Sequence, residues 1–211
     1  MSERNVLTWE DVNCQSGWLL WVRTSITKGD EMDSFLQAEF QRAWEGLCVP
    51  EGWRAELISG RIEMRPPTAE MPAILDRIAA SLVPSASVDW VLLRDTHVEI
   101  PGWRGIYQPN LVVVSRDSVP ARGARIPGAK ALLVVEVVTS NSEPGRTKLR
   151  EYARAGVGMC LLVDRFQEDR PPVQLFTGPA ERSYTRWRGW EFGEPVEIPE
   201  PFDLTLDTKG F

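Results

Sequence analysis

A glutamate lies in the middle of the most apolar stretch of this chain. Glu136 is embedded in residues 131–138, where every other residue is alanine, leucine or valine. A run of this length, rich in valine and bounded by turn residues, predicts a β-strand covered on both faces. Removing a carboxylate from water is costly unless a cation or hydrogen bonds compensate. We therefore expect Glu136 to have a partner, which could be a metal ion, a lysine or a proton.

A lysine follows at a suitable distance along the chain. Residues 148–156 predict a short amphipathic helix that ends at Gly156, and Lys148 falls in its first turn. That is the wrong end of a helix for a cation that only complements the helix dipole. We therefore expect Lys148 to point back toward the preceding strand and to meet Glu136. The alternative is that Glu136 lies at a strand end and pairs with one arginine or with backbone amides.

The composition is that of a globular protein of ordinary size. The chain has 211 residues, of which 43% are hydrophobic, and a formal net charge of −6. An acidic chain lacks the general basic surface on which non-specific nucleic-acid binding depends, although its composition is compatible with a local basic groove. The three cysteines are widely spaced and have no histidine companions, which favours a reducing cytoplasm. No apolar run is long enough to cross a membrane, so we expect a cytoplasmic protein without membrane contacts.

The spacing of apolar residues predicts one α/β domain, residues 33–211, behind an N-terminal extension, residues 1–32. The extension has no clear period, and Met32 is an alternative start. Helical spacing recurs from Phe35 to Trp44 and from Ile74 to Leu82. Strands are expected as a hairpin within 54–64 and at 88–93, 96–100, 111–114, 131–138, 159–164, 173–176 and 186–192. Helices on both sides of the Glu136 strand indicate a mixed sheet in an α/β layer.

Four residues in a characteristic order carry a resemblance to a known family. Glu56 lies on the early hairpin, Asn110 follows Pro109 at a strand start, Glu136 is inside a strand, and Lys148 opens the next helix. The most specific matching segments are 108–114, 134–142, 148–157 and 162–164, with 56–62 as the opening hairpin. In these segments the chain resembles the Uma-type restriction endonuclease family, a branch of the PD-(D/E)XK nuclease superfamily. The resemblance covers residues 33–200 and implies a restriction-endonuclease-like mixed β-sheet flanked by helices.

The resemblance also implies a reaction, namely Mg²⁺- or Mn²⁺-dependent hydrolysis of nucleic-acid phosphodiester bonds. Carried over by position, Asn110 and Glu136 are the metal ligands, Lys148 is the catalytic lysine, and Glu56 is a supporting acid. The metal would polarise the scissile phosphate and acidify the attacking water, while the lysine orients that water or offsets developing charge. The implied partner is nucleic acid, with DNA the first expectation, and a homodimer is left open.

Three positions depart from the family pattern. Asn110 replaces an aspartate, which removes one negative charge from the metal site and leaves a weaker amide ligand. Pro144 stands where an acid often precedes the helix lysine, and Met71 stands where a histidine is often found. The only histidine, His97, is placed in a predicted strand and treated as ordinary. The departures predict either a weakened endonuclease or a catalytically degenerate member of the fold that serves as a nucleic-acid-binding or protein-interaction module.

Each site residue could also have a purely structural role. Glu136 and Lys148 would then be only a buried ion pair, Asn110 a strand-start cap, and Glu56 a solvated hairpin residue. Residues 182–190 alternate arginines with aromatic residues, which suits base stacking and phosphate pairing. The same alternation also fits an exposed hairpin whose aromatic residues cover the sheet, and we favour that interpretation.

Deletion of residues 1–31 tests the domain boundary. Because the segment shows no core period and Asp33 can cap the first helix unaided, we expect the truncated protein to unfold cooperatively in a thermal melt. A melting transition that collapses in the truncated protein would show that Trp9, Trp18 and Trp21 belong to the core.

Overall fold

The computed structural model describes residues 34–58, 61–66, 72–83, 89–101, 105–121, 123–138, 144–166, 168–181 and 183–211. The predicted extension, residues 1–32, lies outside this part of the chain. The helices are α1 (Ser34–Glu45), α2 (Pro72–Leu82) and α3 (Pro144–Arg154). The strands are β1 (Arg54–Ile58), β2 (Arg61–Arg65), β3 (Trp90–Leu93), β4 (Val98–Ile100), β5 (Gly105–Tyr107), β6 (Leu111–Ser115), β7 (Ile126–Pro127), β8 (Ala131–Val138), β9 (Met159–Asp164), β10 (Val173–Pro179), β11 (Tyr184–Trp190), β12 (Pro195–Ile198) and β13 (Leu204–Asp207).

The strands form two large sheets and one hairpin. The six-stranded sheet has the order β11-β10-β9-β8-β6-β3, the five-stranded sheet has the order β2-β1-β5-β4-β7, and β12 pairs with β13. In the six-stranded sheet β8 and β9 run parallel, and their neighbours are antiparallel. Parallel neighbours need a crossover connection, and α3 supplies it. The predicted mixed α/β fold is therefore confirmed, although the strands divide into two sheets.

The six-stranded sheet is covered on both faces, as the composition of β8 predicts. One face packs against α2 and the β12–β13 hairpin through a cluster that includes Leu133 and Val135. The other face packs against α3 and the five-stranded sheet through a cluster that includes Val134 and Tyr152. Because side chains alternate along a strand, Glu136 shares its face with Val134. The carboxylate therefore points into the layer between the two sheets, beside α3.

Some details differ from the sequence-based expectations. Helix α3 begins at Pro144 rather than near Thr147, so Lys148 lies in its second turn. A proline suits the first position of a helix because its missing N–H would have no partner there. His97 precedes β4 instead of lying within a strand. The short strands β5 and β7 and the β12–β13 hairpin were not predicted, and strands of two to four residues carry too little alternation to be recognised.

Two glycines permit very close contacts between backbone segments at the crossover from β8 through α3 to β9. A Cβ atom on Gly158 would lie 2.6 Å from the carbonyl oxygen of Leu132, and one on Gly128 would collide with the Cβ of Ala155. Both contacts join the C-terminal end of α3 to the start of β8. Glycine is needed at these positions because only its missing side chain lets the two backbone segments approach so closely.

Two further findings concern the cellular setting. Among the described residues, no helix has both the length and the apolar character of a membrane span. Cys160 is a buried free thiol, whereas Cys48 is disulfide-bonded. The disulfide at Cys48 disagrees with the reducing environment that the spacing of the cysteines favours.

His97 gives the fold a predicted pH dependence. Its Nε2 lies 3.1 Å from the carbonyl oxygen of Ala55, and its ring meets the ring of Trp44 edge to face at 5.2 Å. Burial lowers the pKa of His97 below its usual value of 6.5. The unfolded chain therefore takes up this proton first, so the stabilisation is present above pH 6.5 and is lost as pH falls toward the folded-state pKa. Urea titrations between pH 7 and pH 5 should show a steeper stability loss for the wild type than for His97→Gln, and equal slopes would contradict the assignment.

Candidate active site

Three charged side chains from three different elements meet in the layer between the two large sheets. Glu56 comes from β1 of the five-stranded sheet, Glu136 from β8 of the six-stranded sheet, and Lys148 from α3. All three are buried, with 3%, 8% and 3% of their surface exposed. Burying three charges is tolerated only where they compensate one another, so their packing fixes the relative position of both sheets and the helix.

The ammonium group of Lys148 is shared between the two carboxylates. Its Nζ lies 2.6 Å from Oε1 of Glu56 and 3.2 Å from Oε1 of Glu136. The predicted meeting of Glu136 and Lys148 is thus present in the structure. The alternative in which Glu56 is a solvated hairpin residue is wrong, because the layer of α3 and the six-stranded sheet covers that face of β1.

Glu56 is held in place from two further directions. Its Oε1 accepts a hydrogen bond of 2.8 Å from the backbone N–H of Gln108, which lies just beyond β5. Its Oε2 lies 3.9 Å from a guanidinium nitrogen of the partly exposed Arg65. A carboxylate with an amide and an ammonium on the same oxygen is fixed before any ligand arrives. Glu56 is therefore suited to anchor Lys148.

Glu136 is held by two donors that both come from α3. The hydroxyl of Tyr152 donates to Oε1 at 2.6 Å, and Lys148 contacts the same oxygen. The two residues are four positions apart and so lie on one face of the helix. Burial, reinforced by the charge of Glu136, raises the pKa of Tyr152 well above its usual value, so the phenol keeps its proton and remains a donor. Glu136 is also the most accessible of the three charged groups, with 10% of its side chain exposed.

Asn110 lies beside Glu136 on the neighbouring strand. The register of β6 and β8 pairs Leu111 with Val135 and so sets Asn110 across from Glu136. The Asn110 backbone N–H donates to the Val135 carbonyl at 2.9 Å, and its side-chain Oδ1 accepts from the Val137 N–H at 2.7 Å. The amide therefore extends the hydrogen-bond ladder past the end of β6. The same Oδ1 is the amide oxygen that could contribute to a metal site next to Glu136.

Sequence reasoning missed two tyrosines at this site. Tyr152 could have been found from its spacing of four residues after Lys148, whereas Tyr107 gave no signal. The ring of Tyr107 lies edge-on to Tyr152 at 5.4 Å between centroids, and Lys148 Nζ is 6.0 Å from its centre. Burial, with smaller effects from Glu151 and Glu56, raises the pKa of Tyr107. The two rings form a wall that limits water around the ammonium group.

The arginine-rich and aromatic segment forms the edge strand β11, three strands away from β8. Trp190 is buried, whereas Trp187 is 50% exposed. The Trp187 ring stacks on Phe176, and the guanidinium of Arg170 lies 5.7 Å from its centre. One aromatic residue therefore covers the sheet, as we favoured, and another remains accessible.

The oxygen donors fit a divalent cation that keeps part of its water shell. Among the described residues, no cluster of three or more histidine, cysteine, aspartate or glutamate side chains could enclose a metal. Mg²⁺ does not need such a cage, because it is usually held by one or two carboxylates together with water and substrate phosphate. Within the described part of the chain, the contacts made to Glu136 fall on Oε1, so Oε2 and Asn110 Oδ1 are the donors that suit this ion.

Replacing Lys148 with methionine should strongly destabilise the protein. The substitution keeps the side-chain length but leaves Glu56 and Glu136 as buried carboxylates without their shared cation, and breaking a buried ion pair from one side costs about 3–5 kcal/mol. The free energy of unfolding from urea titration measures the effect. Lys130→Met is the matched control, because Lys130 is exposed and its loss should be nearly neutral. Equal stabilities of the two variants would contradict the shared ion pair.

Comparison with known proteins identifies a family and a similar fold. The Uma2 family, described as "Putative restriction endonuclease", matches residues 37–209. A solved structure described as "a putative nuclease belonging to DUF820 from Anabaena variabilis ATCC 29413" is similar in fold. Its TM-score is 0.56 at 15% identity, over 78% of this chain and 92% of that chain. No curated protein matches the chain. Since the family match spans most of the chain and includes Glu56, Asn110, Glu136 and Lys148, the chain belongs to the Uma2 family.

Proposed function

We propose that this chain is an Mg²⁺-dependent endonuclease that hydrolyses phosphodiester bonds of nucleic acid, with DNA as the first expectation. The observation that carries the proposal is the buried ammonium of Lys148, shared between Glu56 and Glu136 beside Asn110. The description of the Uma2 family and the fold of the DUF820 protein support the same reaction class.

The charge balance of the pocket favours a cation site over a purely structural ion pair. Glu56 and Glu136 share one buried ammonium, and the partly exposed guanidinium of Arg65 reaches only Glu56, at 3.9 Å, so the charge of Glu136 is only partly compensated. Apolar residues of similar volume would be at least as stable as a buried ion pair. The buried cluster of Glu56, Glu136 and Lys148 is therefore better explained by a ligand that completes the charge balance. Because the remaining charge is negative, that ligand is a cation.

Glu136 and Asn110 are the residues that would hold the metal. Glu136 offers Oε2, and Asn110 offers its side-chain amide oxygen. A bound Mg²⁺ supplies polarisation of the scissile phosphate and a water of lowered pKa. Because an amide replaces a carboxylate at Asn110, the site lacks one charge, and we expect weak metal affinity and slow cleavage.

Lys148 would act on the phosphate while staying anchored to Glu56. An ammonium group carries three donors, so two carboxylate contacts leave one for a phosphate oxygen or for the attacking water. A positive charge aimed at that oxygen stabilises the charge that develops in the transition state. Its contact with Glu56 is shorter than its contact with Glu136, 2.6 Å against 3.2 Å, which leaves Glu136 the freer of the two to bind a cation.

Substitutions of the two metal-binding residues test the proposal. We expect slow Mg²⁺- or Mn²⁺-dependent plasmid cleavage by the wild type, no cleavage by Glu136→Gln, and faster cleavage with tighter metal binding for Asn110→Asp. Without metal, Asn110→Asp should melt at a lower temperature than the wild type, since two neighbouring carboxylates repel in a poorly solvated pocket. Added Mg²⁺ should reverse that loss.

The outcomes separate the proposal from its competitor. Brisk cleavage by the wild type that Glu136→Gln leaves unchanged would show that the site is wrong. If neither the wild type nor Asn110→Asp binds metal or cleaves, the pocket has lost more than one charge. The chain would then be a catalytically degenerate nuclease fold that binds nucleic acid or protein.

A further inference from the structure

Oε1 of Glu136 is saturated by donors from one helix. A carboxylate oxygen accepts about two hydrogen bonds, and Oε1 already receives them from Tyr152 at 2.6 Å and Lys148 at 3.2 Å. The two donors differ in kind. Lys148 has a long, flexible side chain whose ammonium group also contacts Glu56. Tyr152 has a rigid ring with no exposed surface.

The phenol is therefore the contact that defines the orientation of the carboxylate. Tyr152 is fixed by its helix and by the ring of Tyr107, which meets it edge to face at 5.4 Å. Without the hydroxyl, Glu136 would keep only the longer contact to an ammonium that sits closer to Glu56. The carboxylate could then rotate and present either oxygen to the pocket.

We propose that Tyr152 is a positioning residue, whose hydroxyl ties Oε1 of Glu136 to α3 and leaves Oε2 as the oxygen offered to a cation. The expected effect on metal binding rests on the proposed function, whereas the orientation of Glu136 rests on the hydrogen bond from Tyr152. Groups that orient a metal ligand typically change metal affinity or activity by about 10–100-fold when they are removed.

Tyr184 provides a matched control on the same face of the six-stranded sheet. Its hydroxyl donates to the Val157 carbonyl at 2.9 Å and does not contact Glu136. Tyr184→Phe and Tyr152→Phe therefore each remove one hydroxyl and one hydrogen bond. Only Tyr152→Phe releases the carboxylate. A difference between the two variants reports on positioning rather than on a general loss of stability.

The first measurement is the affinity of the full chain for Mn²⁺ in the presence of a DNA duplex. Electron paramagnetic resonance detects the bound ion. We expect Tyr152→Phe to weaken Mn²⁺ binding about 10–100-fold and Tyr184→Phe to leave it unchanged. Tyr152→Phe with the affinity of the wild type, or equal losses in both variants, would overturn the inference while the proposed function stands.

The second measurement needs no metal. Urea titrations of the wild type, Tyr152→Phe, Glu136→Gln and the double variant form a cycle that isolates the coupling of the two side chains. We expect strongly non-additive losses, whereas the same cycle with Tyr184→Phe should be additive. Additive losses in the Tyr152 cycle would overturn the inference. If the wild type binds no Mn²⁺, the proposed function fails, and this cycle alone decides whether Tyr152 positions Glu136.

Discussion

One ammonium group shared by two carboxylates joins the main layers of this molecule. Lys148 reaches from α3 to Glu56 in the five-stranded sheet and to Glu136 in the six-stranded sheet. A misplaced sheet or helix would leave a charge in the interior without a partner, which costs far more than an imperfect apolar contact. The same three residues that make the pocket chemically interesting therefore also specify how the layers align.

The part of this arrangement that could be predicted came from a conflict between burial and charge. A glutamate among seven apolar residues has no stable place without a partner, and a lysine one helix later is a plausible one. The spacing of apolar residues gave the mixed α/β class, and the family resemblance added Glu56, Asn110 and the restriction-endonuclease-like fold. These signals are local along the chain or preserved in residue order, so one sequence is enough to show them.

What could not be predicted depends on packing between distant segments. The burial of Glu56 is invisible in its own hairpin, because only the layer of α3 and the six-stranded sheet removes it from water. The division into two sheets depends on the pairing of β5 with β1 and of β7 with β4, which joins segments that lie far apart along the chain. Asn110 looked like a weakened metal ligand, and the structure adds that its side chain also continues the backbone ladder to Val137.

Gly158 passes so close to the carbonyl of Leu132 that even a methyl group would force the crossover apart. Helix α3 ends at Arg154, six residues after Lys148, so at a rise of 1.5 Å per residue it transmits a displacement of its C-terminal end over about 9 Å. A bulkier residue at Gly158 would displace the C-terminal half of α3, and with it Tyr152 and Lys148, which both contact Glu136. Mutational tolerance in this protein should therefore follow mechanical connection to α3 more closely than distance from the carboxylates.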